Sequence, residues 1–145
     1  MVDRKTTSLS QHQGKSCLLI DDDDDDKEIF CIALGEANPA VKCFTADNGL
    51  EALQMLRDGS LVPDYIFLDL NMPLMSGKEC LVEIRKQNHL KNTPVIIYST
   101  SASERDIQET SILGASGFIT KPPLLGALIE KLVEVFEGQP ANKRS

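Results

Sequence analysis

Apolar positions along the chain fall into two alternating patterns. Short, nearly unbroken runs at "CLLI" (17–20), "VKCF" (41–44), "YIFLDL" (65–70), "VIIYS" (95–99) and "GFIT" (117–120) read as strands. Three of them are almost continuously apolar, as strands buried on both faces of a parallel sheet must be. The stretches between them have helical spacing, with polar signals at their ends. Asn48 with Glu51 and Ser76 with Glu79 stand at capping-box spacing, and Ser103 is placed to cap the next helix. Gly59, Gly114 and Gly138 follow the second, fourth and fifth helical stretches, where a left-handed residue ends a helix without strain. In the last stretch Leu125, Leu128, Ile129, Leu132, Val135 and Phe136 form one apolar stripe. Five strand–helix units in series predict one α/β domain, a doubly wound parallel sheet of five strands, over residues 15–138. Residues 1–14 and 139–145 carry no periodicity and read as flexible tails. Periodicity leaves the strand order open.

Composition narrows the function classes. The 145 residues suit one well-filled core, and 41% apolar with 26% charged content is that of a soluble globular protein. A formal net charge of -7 argues against nucleic acid, whose phosphates require a basic surface, and leaves metal ions and cationic partners open. No apolar run approaches the ~18 residues of a membrane span. The start "MVDRKTTSLSQHQG" lacks the apolar core of a signal peptide, so a cytoplasmic location is expected. Cys17, Cys31, Cys43 and Cys80 are too scattered for a metal clip or a CxxC motif and read as buried reduced thiols within elements. His12 and His89 stand alone and read as surface residues.

In an open α/β sheet the site lies beyond the carboxyl ends of the strands. The residues there are Asp21 and Asp22 after the first strand, Asp69 in the third, Ser99 at the end of the fourth and Lys121 after the fifth. Three converging carboxylates repel, by about 4 kcal/mol for two charges ~4 Å apart at an effective dielectric of ~20. Lys121 offsets part of this, and Mg2+ suits the rest, since it binds through few carboxylates, waters and phosphate oxygens. A metal, a lysine and a hydroxyl around one carboxylate make a phosphoryl-transfer site with Asp69 as nucleophile. On spacing alone, a structural ion cluster at the sheet edge stays open.

The run "LLIDDDDDDKEIF" (18–30) sets six aspartates directly after the first strand. An EF-hand starting at Asp21 needs Gly at its sixth position and Glu at its twelfth, where the chain has Asp26 and Ile32. A flavin-phosphate loop is excluded as well, because carboxylates repel the phosphate. Ile29, Phe30, Ala33 and Leu34 already show helical spacing, so Asp24, Asp25 and Asp26 fall at a helix start that favours carboxylates. Asp25 and Glu28 are spaced as a capping pair, which leaves Asp21 and Asp22 for the site and Asp23 between.

"LLIDD" (18–22), "YIFLDLNMPLMSG" (65–77), "PVIIYSTS" (94–101) and "GASGFITKP" (114–122) occur in the order found in response-regulator receiver domains. From about Lys15 to Glu137 the chain resembles that family, the CheY-like modules of two-component signalling. The resemblance implies the (βα)5 flavodoxin-like fold with strand order 2-1-3-4-5. It implies that Asp69 accepts a phosphoryl group from a sensor histidine kinase or histidine phosphotransfer protein. Asp22 would ligate Mg2+ directly, Asp21 through water, and Asn71 by its backbone carbonyl. Ser99 would bond a phosphoryl oxygen, Lys121 would pair with Asp69 and then with the phosphoryl group, and Lys121–Pro122 would be a cis bond. The chain departs from the family pattern at Phe118, commonly Tyr, as switch partner of Ser99; at Thr100, commonly Ala; and at Pro123, commonly aromatic, which suits the first turn of a helix. The expected role is signalling without an attached output domain, by protein contact on the face of helix four, strand five and helix five, rather than enzyme action on a separate substrate. The acidic start also resembles small regulators that work with hybrid kinases and phytochromes. The alternative is a haloacid-dehalogenase-type phosphatase, which wants an Asp two residues after its nucleophile; Asn71 stands there instead.

Overall fold

In the computed structural model, which describes residues 15–138, the five expected units are β1 (Ser16–Ile20), α1 (Asp24–Ala37), β2 (Lys42–Ala46), α2 (Gly49–Arg57), β3 (Tyr65–Leu68), α3 (Gly77–Arg85), β4 (Val95–Ser99), α4 (Glu104–Ile112), β5 (Gly117–Thr120) and α5 (Leu125–Glu137). A short 3-10 turn at Asn88–Leu90 precedes β4. The tails 1–14 and 139–145, with His12, lie outside the described residues. All strands pair in parallel, in the order β2-β1-β3-β4-β5.

Every residue of β1 and β4 is buried, which explains their unbroken apolar runs. Alternate side chains feed two cores. Leu18, Ile20, Ile66, Leu68, Val95 and Ile97 meet Leu53 and Leu56 of α2 and Leu81 and Ile84 of α3 on one face. Cys17, Leu19, Phe67, Ile96, Tyr98 and Ile119 meet Phe30 and Leu34 of α1 and Leu128 and Leu132 of α5 on the other. Helix α4 is the exception, since Thr110 is its one buried residue and Ile107 and Ile112 are exposed.

The helix ends follow the polar signals. Ser76 and Glu79 form a full capping box, while Asn48 and Ser103 accept the N–H of Glu51 and Asp106. Gly59, Gly114 and Gly138 all have positive φ, the conformation that a side chain would strain. Several boundaries differ from the sequence reading, the smallest being β1, which takes in Ser16 ahead of Cys17. β2 begins at Lys42 and runs to Ala46, because Val41 N–H closes a turn onto the Asn38 carbonyl. β3 ends at Leu68, since the Leu70 carbonyl already accepts the N–H of Gly77 in the next loop. Helix α1 is capped by Asp23, whose backbone is extended and whose carboxylate accepts the Asp26 N–H at 2.9 Å. The chain turns at once after β1, with Asp23 N–H on Asp21 Oδ1 at 3.0 Å, so the helix starts before Asp25 could cap it. Pro123 precedes the Leu124 cap of α5 and does not enter its first turn.

Candidate functional site

Three backbone hydrogen bonds carry the parallel ladder one step past the strands. Asp21 N–H reaches the Ala46 carbonyl at 3.1 Å, Asp69 N–H the Ile20 carbonyl at 3.0 Å, and Lys121 N–H the Ser99 carbonyl at 2.8 Å. They extend the β1–β2, β1–β3 and β4–β5 pairings, and with the β3–β4 ladder they set the carboxyl ends of β1, β3, β4 and β5 side by side. The site therefore sits where β1 has β2 on one side and β3 on the other, the switch point of this topology.

Asp21, Asp22 and Asp69 bring one carboxylate oxygen each to within 4.8 Å of one another. Asp21 and Asp69 are buried, whereas Asp22 is exposed. The Lys121 ammonium donates to Asp21 Oδ2 at 2.8 Å and to Asp26 Oδ2 at 2.7 Å, and stands 3.7 Å from Asp69 Oδ2. It also lies 5.1 Å from the centroid of the Tyr98 ring. Burial tends to discharge Lys121, but its bonds to Asp21 and Asp26 outweigh that and hold its pKa above the ordinary lysine value. Burial raises the Asp69 carboxyl to about 6, with Asp21 and Asp22 adding repulsion against the pull of Lys121 and the Asn71 N–H. Ser99 Oγ is fully buried and has no hydrogen-bond partner among the described residues. Leaving a buried hydroxyl unpaired costs about 1–3 kcal/mol.

Each residue expected at the strand ends is thus in place, with two changes of partner. Lys121 bonds Asp21 and Asp26 more closely than Asp69. Asp26, assigned by pattern to the helix start alone, reaches back from the first turn of α1 into the site. No cis peptide bond occurs among the described residues, so Lys121–Pro122 is trans, against the cis bond implied by resemblance. An X–Pro bond prefers trans by only about 0.5–1 kcal/mol, and the local turn is made here without the cis form. Asn71 is exposed and donates its N–H to Asp69 Oδ1 at 3.4 Å. Phe118 is half-buried against the core and lines a cavity of about 140 Å³ with Tyr65, Ile96 and Val135. Thr100 is exposed.

Gly77 is the residue whose role pattern reading missed. A Cβ there would run into the carbonyl oxygen of Asp69 and the Cα of Leu70, so only glycine lets α3 start this close behind Asp69. The available signal was a glycine directly after a capping serine, where a better helix former is ordinary.

Hard carboxylate oxygens, few in number and open on the Asp22 side, fit a small divalent cation such as Mg2+. The two Asp21 oxygens already accept from Lys121 and the Asp23 N–H, which leaves Asp22 as the freer donor. A doubly wound sheet with an acidic triad, a lysine and a buried hydroxyl at its switch point defines a receiver module. The chain belongs to the response regulator receiver domain family, whose sequence pattern matches residues 17–133. It is 40% identical to the chemotaxis protein CheY-3 of Vibrio cholerae over 92 residues, 63% of this chain and 69% of that protein. Among solved structures it is similar to the phosphorylated cyanobacterial phytochrome response regulator RcpA, at 33% identity and a TM-score of 0.77, covering 85% of this chain and 91% of that one. It is also similar to the Mn(2+)-bound form of response regulator Rcp1, at 29% identity and a TM-score of 0.72, covering 90% of this chain and 96% of that one. Receiver domains are signalling domains of two-component systems, and no helix among the described residues is long and apolar enough to cross a membrane.

Proposed function

We propose that Asp69 accepts a phosphoryl group from a phosphohistidine on a sensor kinase or phosphotransfer protein. The P–N bond of the donor breaks, and an Asp69 carboxylate oxygen forms the new P–O bond. The observation that carries this reading is the convergence of buried Asp69 with Asp21, Asp22 and Lys121 at one strand-end cluster. A pKa of about 6 leaves Asp69 mostly ionised above neutral pH, as a nucleophile must be. Mg2+, held by Asp22 and Asp69 with Asp21 acting through water and the Asn71 carbonyl completing the set, would neutralise charge on the phosphoryl oxygens. The similarity to a Mn(2+)-bound response regulator is consistent with use of a divalent ion.

Ser99 Oγ gains its missing partner in a phosphoryl oxygen, and Lys121 shifts from Asp26 toward the same group. Withdrawal of the Ser99 side chain opens space for Phe118, which passes the change to the α4–β5–α5 face. Exposed Ile107 and Ile112 on the weakly buried α4 give that face apolar contact points for a target protein. The phosphodonor docks on a second surface. A groove of about 280 Å³ between α1 and the β5–α5 loop, with Ile29, Ile32, Leu124 and Leu125 exposed, opens onto Asp26 and Lys121. The module works in the cytoplasm. Intact-mass analysis after treatment with acetyl phosphate and Mg2+ tests the reading: one acid-labile phosphoryl group on wild type and none on Asp69→Asn. Equal labelling of both proteins would sink it.

A further inference from the structure

Cys31 and Cys43 are distant from the phosphoryl site chemistry, yet their Sγ atoms lie 2.7 Å apart, on α1 and on the edge strand β2. Unbonded heavy atoms normally rest about 3.5–4.0 Å apart, and a disulfide bond measures about 2.0 Å, so this pair needs little motion to close. Both side chains are partly exposed, against the burial expected of all four cysteines, because α1 and the edge strand β2 lie at the rim of the sheet, whereas Cys17 and Cys80 are buried. Cys17 is the register partner of Cys43 across β1 and β2, but its burial keeps it from solvent oxidants. A thiolate metal site does not fit, because among the described residues the acidic triad alone gathers three ligand atoms.

We infer that Cys31 and Cys43 form an oxidation site that closes reversibly into a disulfide in the presence of a peroxide, tying α1 to β2. The Cys31 sulfur, as thiolate, attacks one peroxide oxygen; the O–O bond breaks, and the departing hydroxide takes up a proton to leave as water. Cys31 is then a sulfenic acid. The Cys43 sulfur attacks the Cys31 sulfur, the S–S bond forms, the S–O bond breaks, and hydroxide leaves with the Cys43 proton as a second water. Two thiols lose two electrons and one peroxide gains them. Burial holds the Cys31 thiol up at about 12 and the contact with Cys17 raises Cys43 further, so both are almost wholly protonated at neutral pH, oxidation is slow, and Cys31, the less raised of the two, supplies the attacking thiolate. The bond adds a tie beside the Lys27–Asp47 ion pair, which joins α1 to the residue directly after β2.

Each cysteine lies in its own tryptic peptide: 16–27, 28–42, 43–57 and 79–85 carry Cys17, Cys31, Cys43 and Cys80. Reduced full-length protein is treated with hydrogen peroxide in EDTA, blocked with N-ethylmaleimide, digested and mapped. The expected product is 28–42 linked to 43–57, in a chain that stays monomeric on non-reducing gels and is released by dithiothreitol. Cys31→Ser and Cys43→Ser should abolish the link, and Cys80→Ser should leave it. A Cys17–Cys43 link, an intermolecular dimer, or overoxidised Cys31 without a link would each overturn the proposal. So would equally fast linkage in urea-unfolded chain, which would show that the fold does not set the pair. The wild-type map decides the matter even where a variant fails to fold.

Discussion

Replacing Asp23 by alanine tests how the acidic run is divided. Asp23 Oδ1 accepts the Asp26 N–H at 2.9 Å, one of the free donors at the start of α1. Losing such a cap costs about 1 kcal/mol. Two further effects nearly cancel. The lost carboxylate removes ~0.3–1 kcal/mol of favourable interaction with the helix dipole. It also relieves repulsion from neighbouring exposed aspartates, about 0.6 kcal/mol for each charge ~7 Å away in water and about 0.25 kcal/mol once 0.15 M salt screens it. The net loss should be about 1 kcal/mol, or roughly 3–5 °C in Tm for a domain of this size. Asp25 is exposed and neither caps nor bridges, so Asp25→Ala should stay within about 0.5 kcal/mol of wild type. Asp23→Asn keeps an acceptor and should retain most of the stability. Urea melts of the three variants, in EDTA with 0.15 M salt, separate these cases. Equal losses in Asp23→Ala and Asp25→Ala, or in Asp23→Asn and Asp23→Ala, would refute the assignment of the cap and leave only a diffuse acidic patch.

Ser99→Ala removes a buried hydroxyl that has no partner, so urea stability should be unchanged or higher by up to about 1 kcal/mol, while acetyl phosphate labelling of Asp69 slows. Gly77→Ala sets a methyl against the Asp69 and Leu70 backbone and should cost about 2 kcal/mol or more, with lower labelling because Asp69 shifts; a neutral result in urea would contradict the packing. Asp69→Asn should stabilise the metal-free protein in a pH-dependent way. The folded-state pKa of about 6 lies above the ordinary 3.8, so the folded state holds the extra proton and wild type loses stability as pH rises through that window. A shift of ~2 units corresponds to about 3 kcal/mol. Melts between pH 4 and 8 in EDTA should show that slope in wild type and not in Asp69→Asn.

What the sequence determined by itself is local. Short unbroken apolar runs and period-3.6 patterns locate elements because burial on two faces or one dictates them, and Asn48, Ser76 and Ser103 mark helix starts because an exposed N–H needs an acceptor within three residues. The strand-end rule then named Asp21, Asp22, Asp69, Ser99 and Lys121 without coordinates, since parallel strands must all present the same end to one rim. Tertiary structure decided the pairings across that rim. Lys121 lies 95 residues from Asp26 and 100 from Asp21, and no periodicity links them; only the β2-β1-β3-β4-β5 order and the turn of α1 bring their side chains together. The same holds for Gly77, whose need arises from backbone passing behind it, and for Cys31 and Cys43, whose contact depends on how α1 lies over β2. Sequence spacing fixes which way a residue faces; which atom it meets is set by the packing of distant segments against one another.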